Sequence, residues 1–201
     1  MGRPIEEEEA ILGFPEEERE LVLLLIQAAR NEIHRDYEEK GHRLYRPFLL
    51  HIENNLTSSK LNVSAARKAA KLTNSGTYSP EFKRMVGMSP KDYIEHHRMK
   101  LAKRLLQHTR AEVYLIAYAV GYKDPNLFSR NYKNKSGYKP TMESKADRRV
   151  TESLLYQLKR STLPPSPDPK KSINVASTTG RCDQNGAVDV ESVNAFWEDI
   201  R

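Results

Sequence analysis

Residues 113–140 read VYLIAYAVGYKDPNLFSRNYKNKSGYKP, and this stretch decides the fold. Two short helical segments, Val113–Val120 and about 125–136, flank a tight turn. Gly121 and Gly137 act as the helix stops, because glycine takes a left-handed backbone that a side chain resists. Ala117 is small where two helices cross closely, as in a helix-turn-helix pair. On the second helix Leu127, Phe128 and Tyr132 fall on the inner side, and Asn126, Ser129, Arg130 and Lys133 on the outer side. Such an outer set reaches phosphates and base edges, and an arginine can bond guanine bidentately. The aromatics Tyr118, Tyr122, Phe128, Tyr132 and Tyr138 are assigned mainly to the core.

Working upstream, Ser89-Pro90-Lys91-Asp92 is a helix start, with Ser as cap, Pro at the first turn and Asp as the capping-box acid. The helix runs to about His108, burying Ile94, Leu101, Leu105 and Leu106 and showing Lys100, Lys103 and Arg104 to solvent. Before it come three more helices. One spans 46–56 with Phe48, Leu49, Ile52 and Leu56 inward. The next spans 63–71 after the cap Asn62, and the third, beyond a loop at 73–76, ends at Gly87. No strand-like alternation occurs in 45–144, so the class is all-α.

Further upstream, Val22, Ile26, Ala29, Ile33 and Tyr37 form one helical stripe within 16–40, widened by Leu21, Leu24, Leu25 and Ala28. A face this broad needs a cover. It either docks on the rest of the chain or serves as a dimerisation or partner helix, a homodimer through residues 16–40. Residues 1–18 read as a mobile acidic arm. Downstream, 145–160 extend the helical domain and the chain after 160 reads as a disordered tail. Val190, Val193, Trp197 and Ile200 mark either a short acidic helix that folds on a partner or a frayed end.

The chain has 201 residues and a net charge of +6, unevenly spread. Residues 1–44 carry −6, 45–144 carry +11 and 145–201 carry +1. A basic middle suits a polyanion. One cysteine, Cys182, excludes an internal disulfide, and no zinc framework appears. His96 and His97 diverge by about 100° on a helix and cannot share a metal; both, with His108, read as surface residues. The longest apolar run, Leu21–Ile26, is too short to span a bilayer, and no signal peptide is evident. The reading is a soluble protein of the reducing cytoplasm, nucleoid-associated. No catalytic triad, carboxylate pair or phosphate loop is present, so neither enzyme activity nor a cofactor or metal is expected.

From Ile116 to Pro140 the sequence closely resembles the AraC/XylS family of transcription regulators, almost position by position. The resemblance extends back through Pro90-Lys91-Asp92-Tyr93-Ile94 and Lys103-Arg104-Leu105-Leu106 and covers about residues 46–142. It implies two helix-turn-helix units, about 46–88 and 111–140, joined by a linker helix over 90–108. Their two recognition helices would enter successive major grooves of double-stranded DNA. By position, Asn126, Ser129 and Arg130 would face bases or phosphates, with Lys123, Lys133 and Lys139 near the backbone.

The first unit departs from the pattern. Pro80 falls where the family keeps a helix-interior base reader. A proline inside a helix costs about 3 kcal/mol or more, so the recognition helix is expected to begin there, capped by Ser79. Arg67 replaces the small residue expected at the helix crossing. Weaker base reading is expected from this unit, through Ser75, Thr77, Ser79, Lys83 and Arg84. Many family members also carry an effector-binding barrel. Here 44 residues precede the basic domain, so no small-molecule pocket is expected in this chain and control falls to abundance or to a partner, RNA polymerase or another regulator. Two other functions fit the sequence: an interaction protein with a degenerate first unit that binds another regulator through its N-terminal helix, and a non-specific architectural DNA binder.

Overall fold

A computed structural model describes residues 7–39, 45–72, 75–143, 145 and 148–162. The helices run α1 (Glu7–Leu12), α2 (Glu16–Glu39), α3 (Arg46–Asn55), α4 (Val63–Ala69), α5 (Ser75–Val86), α6 (Pro90–His108), α7 (Val113–Ala119), α8 (Pro125–Ser136) and α9 (Arg148–Thr162), with one 3-10 turn at Pro140–Met142 before α9. There is no strand among the described residues. Cys182 and the terminal helix at 190–200 lie outside the described residues.

Local chemistry sets most boundaries. The Asn62 side chain accepts from Ala65 N at 2.9 Å and starts α4. The Ser89 hydroxyl accepts from Asp92 N, with Pro90 at the first turn of α6. The Asp124 carboxylate accepts from Asn126 N at 2.8 Å and starts α8. Each side-chain cap satisfies a backbone donor that the helix itself cannot, a contribution of about 1 kcal/mol.

The N-terminal region is not a mobile arm throughout. α1 packs on α7, Phe14 is 1% exposed and Ala10 is buried with it. The Arg19 guanidinium donates to Phe14 O and Leu12 O, and the Glu18 carboxylate accepts from Arg110 N at 3.0 Å. The acidic composition of 1–18 hides this aromatic anchor, which only the distant partner on α7 reveals. From there α2 lies across α3, α6 and α9. Its stripe of Leu21, Val22, Leu25, Ile26, Ala29 and Ile33 is buried within the chain, so the face that suggested a homodimer is already covered. The side chain of Tyr37 lies outside the described residues.

The α2–α6 contact corrects two further expectations. Arg104 is 4% exposed rather than solvent-facing, and its guanidinium donates to Glu32. Lys100 approaches the same carboxylate at 3.2 Å. Burial works to raise the Glu32 carboxyl, but Arg104 and Lys100 outweigh it and hold it below its ordinary range. His97, at 5% exposure, is a core residue and not a surface one. Its ring packs on Tyr93, whose hydroxyl donates to Asp36 at 3.0 Å. Burial, with His96 adjacent, pushes the His97 imidazole down to about 4.

Two predictions follow from these contacts. Phe14→Ala is expected to cost about 3–5 kcal/mol in urea unfolding; wild-type stability in that variant would mean the arm is undocked. His97 generates a pH dependence. Between its folded value of about 4 and an unfolded value of about 6.5 the unfolded chain binds the extra proton, so stability falls as pH drops through that window and is level above it. The full span is about 3 kcal/mol. His96 and His108 shift the same way, so the His97 share is the difference between wild type and His97→Gln, whose profile should be the flatter.

Candidate nucleic-acid interface

Two stretches repeat the same backbone solution. In the second, Tyr122 N donates to Ala117 O and Gly121 N to Tyr118 O, both at 2.9 Å, with Gly121 at φ +89°. In the first, Leu72 N donates to Arg67 O and Lys71 N to Lys68 O, both at 3.1 Å, with Lys71 at φ +55°. This closure satisfies the last carbonyls of α7 and of α4. The correspondence continues at a constant step: Arg67, Lys71, Tyr78, Phe82, Gly87 and Pro90 have Ala117, Gly121, Phe128, Tyr132, Gly137 and Pro140 fifty positions on. Helices α4–α5 and α7–α8 are thus two copies of one helix-turn-helix unit, joined by α6.

In the second unit α8 is held from behind. Phe128 and Tyr132 are buried, with Tyr122 edge-on to Phe128 at 5.4 Å. The Glu143 carboxylate gathers the hydroxyls of Tyr132 and Tyr138 and the amide of Gln107, which comes from α6. Accepting these hydrogen bonds, Glu143 pushes the Tyr132 hydroxyl upward, after burial has done so more strongly. At about 100° per residue, Arg130 points opposite the mean direction of Phe128 and Tyr132. It is exposed, with Asn126, Lys133 and Asn134 around it, and Ser129 is half-buried at the edge. Lys123 and Lys139, at the two ends of the unit, are exposed. Leu127 is 41% exposed and belongs to the outward face, not the inner side assigned from sequence. Asn134 is an exposed addition that the 3.6-residue period, carried one turn further, would have found, whereas Lys135 is exposed but lies off this face.

The first unit differs at the centre of its face. Helix α5 does not begin at Pro80; it starts at Ser75 and carries Pro80 inside. Ser75 and Gly76, read as loop from the sequence, belong to the helix. The reason is tertiary. Tyr78 and Phe82, one turn apart across the proline, are both buried in an aromatic cluster with Tyr45 and Phe48, at ring separations of 5.2–5.9 Å. Each such pair adds about 0.5–1.5 kcal/mol beyond burial, enough together to offset the lost backbone bond. Pro80 occupies the place that Arg130 holds in the second unit. Ser79, Lys83 and Arg84 are exposed; the side chains of Ser75 and Thr77 lie outside the described residues. The Arg67 guanidinium lies 5.7 Å from the Tyr78 ring centre, so the crossing accepts a large residue by stacking it. Arg67 Nε and the Tyr78 hydroxyl are nonetheless buried without a hydrogen-bond partner.

No group of His, Cys, Asp or Glu that could hold a metal occurs among the described residues, and no described helix is long and apolar enough to cross a membrane.

Residues 68–145 match the family model described as a helix-turn-helix domain. The chain is 42% identical over 72 residues to the lactose operon transcription activator of Staphylococcus xylosus, covering 36% of this chain and 25% of that protein. It is 33% identical over 64 residues to the HTH-type transcriptional activator RhaS of Escherichia coli, covering 32% of this chain and 23% of that one. The matched segments therefore span about a quarter of these relatives. Among solved structures, the C-terminal domain of the two-component response regulator yesN from Fusobacterium nucleatum is similar at a TM-score of 0.45 and 32% identity, covering 48% of this chain and 92% of that one. The C-terminal domain of AraT, a response regulator from Geobacillus stearothermophilus, is similar at 0.40 and 20%, covering 73% and 93%. The match shows a helix-turn-helix domain over residues 68–145. The resemblance to the AraC/XylS family read from residues 116–140 agrees with these matches.

Glu143→Ala would strip Tyr132, Tyr138 and Gln107 of their acceptor. The expected loss is about 1–3 kcal/mol of stability, read by thermal unfolding. An unchanged midpoint would show that α8 is held by apolar packing alone.

Proposed function

We propose that the chain is a sequence-specific DNA-binding transcription regulator without enzymatic activity, placing α8 and α5 in successive major grooves of one duplex. One observation carries this reading: the outward face of α8 is centred on exposed Arg130, flanked by Asn126, Leu127 and Lys133, while Phe128, Tyr132 and Glu143 fix the helix from behind. A rigid helix presenting one arginine at its centre suits bidentate reading of guanine, and Asn126 suits adenine. Lys123, Lys133 and Lys139 suit phosphates, which position the protein without reading sequence.

The two units divide the work unequally in this proposal. Pro80 removes the central reader from α5 and leaves Ser79, Lys83 and Arg84 on its exposed face. The first unit thus anchors on the backbone, with Ser75 and Thr77 as its remaining base contacts, while the second unit specifies sequence. The inward turn of Arg104, Lys100 and Arg98 supports the same assignment of faces. These three cations of α6 are engaged by Glu32 and by backbone carbonyls, whereas Lys83 and Arg84 of α5 and Arg130 and Lys133 of α8 are exposed and suit a polyanion.

The test is selection of bound sites from random duplex DNA by wild type, Arg130→Ala and Lys133→Ala. Arg130→Ala should cost about 1–3 kcal/mol and relax preference at one position. Lys133→Ala should leave the motif intact and reduce the salt slope by about 0.9. Absence of any enriched motif in the wild-type pool would reject sequence-specific recognition.

A further inference from the structure

The two helix-turn-helix units barely touch. Among the described residues neither α4 nor α5 packs along α7 or α8; α5 and α7 each pack on α6 instead. An open cleft of about 310 Å³ separates the units, lined by Asn62 and Val63 of the first, Lys91, Glu95 and Arg98 of α6, and Tyr122 of the second among others. A cleft filled by no side chains leaves the angle between the units to whatever bridges its floor.

That floor is one junction. The Arg98 guanidinium donates from Nε to Leu56 O at 2.9 Å and from Nη2 to Ser58 O at 2.7 Å, so it seizes the loop just beyond α3. The same guanidinium stacks over the Tyr122 ring of the second unit at 5.9 Å. Between these residues Thr57 is buried, its hydroxyl accepting from Arg30 of α2 at 3.2 Å. The turn of the second unit closes directly on it. A Cβ at Gly121 would lie 2.8 Å from Thr57 O and 2.8 Å from Arg98 Nη2, so the two units meet backbone to backbone. Burial lowers the Arg98 pKa, against which Tyr122 and Glu95 act. An arginine remains charged under such a shift and keeps its fork.

We propose that Arg98, with Thr57 and the Gly121–Tyr122 turn, is a positioning device that fixes the angle between the two units and thereby the groove-to-groove spacing the protein accepts on DNA. The fork is essential to this role. Its planar donors lock two carbonyls of the first unit while its charge sits over an aromatic ring of the second, which a flexible ammonium cannot do together. Without the fork the units stay folded around their own aromatic cores and pivot about α6.

This inference rests on the two-groove reading, and its experiment separates the two. The duplex is the motif selected by wild type, compared with the same duplex carrying one base pair inserted between the two contacted grooves. The insertion turns one groove relative to the other by about 35°. The spacing penalty, the affinity ratio of the two duplexes, is expected to fall by about tenfold in Arg98→Gln, with Arg98→Lys between it and wild type. A second readout needs no DNA. Nitroxide labels at Lys83→Cys and Lys133→Cys, in a Cys182→Ser background, report the distance between α5 and α8, and its distribution should broaden in Arg98→Gln. If Arg98→Gln fails to fold, Arg98→Lys is read by the same two measures. An unchanged penalty together with an unchanged distribution overturns the proposal. A broadened distribution with no motif selected by wild type would instead retain the junction and reject two-groove recognition.

Discussion

Helix α6 must be buried on several sides at once, and the rest of the molecule is arranged around that demand. It receives α2 on one flank, α5 near its start and α7 near its end. Tyr93, Met99, Leu101, Ala102, Leu105 and Leu106 all leave solvent along its length. Apolar burial supplies the driving force. Arg104 goes in paired with Glu32 and adds register more than stability, because desolvating a charge consumes much of what pairing returns, while His97 goes in neutral beside Asp36. Lys145 closes the far end, its ammonium donating to Leu106 O and Thr109 O at 2.7 and 2.8 Å.

With α6 as the spine, the outward faces of α5 and α8 are set by what lies behind them. Each of α5 and α8 rests on an aromatic pair one turn apart, Tyr78 with Phe82 and Phe128 with Tyr132. The second is better satisfied. Glu143 completes the hydroxyls of Tyr132 and Tyr138, whereas the Tyr78 hydroxyl is buried without a partner beside Arg67. The unit with the complete polar network is the one presenting Arg130. Precision at a reading helix requires such backing, since a contact to a base edge tolerates little misplacement.

The elements that could be read from sequence are those fixed by neighbours in the chain. Asn62, Ser89-Pro90 and Asp124-Pro125 begin helices by bonding donors two or three residues away, and Gly121 and Gly137 end them by their own backbone freedom. What escaped depends on distant partners. Arg104 is turned inward by Glu32, 72 residues earlier, and Pro80 is held inside a helix by rings from α3. Phe14 anchors a segment that composition alone describes as acidic tail. The outer set Asn126, Ser129, Arg130 and Lys133 was legible because helical period alone fixes it. Leu127 faces outward against its apolar type, because its angle on the helix places it beside Arg130. The junction at Arg98 had no local signal, since its acceptors are 40 and 42 residues away.

In the proposed mode of binding both units act on one duplex through two neighbouring major grooves. Hydroxyl-radical footprinting of the full chain on a selected site tests it most directly, because cleavage reports backbone protection at single-nucleotide resolution. The account predicts two protected patches on one face, separated by about 10–10.5 base pairs. A single patch of one groove's width would contradict it.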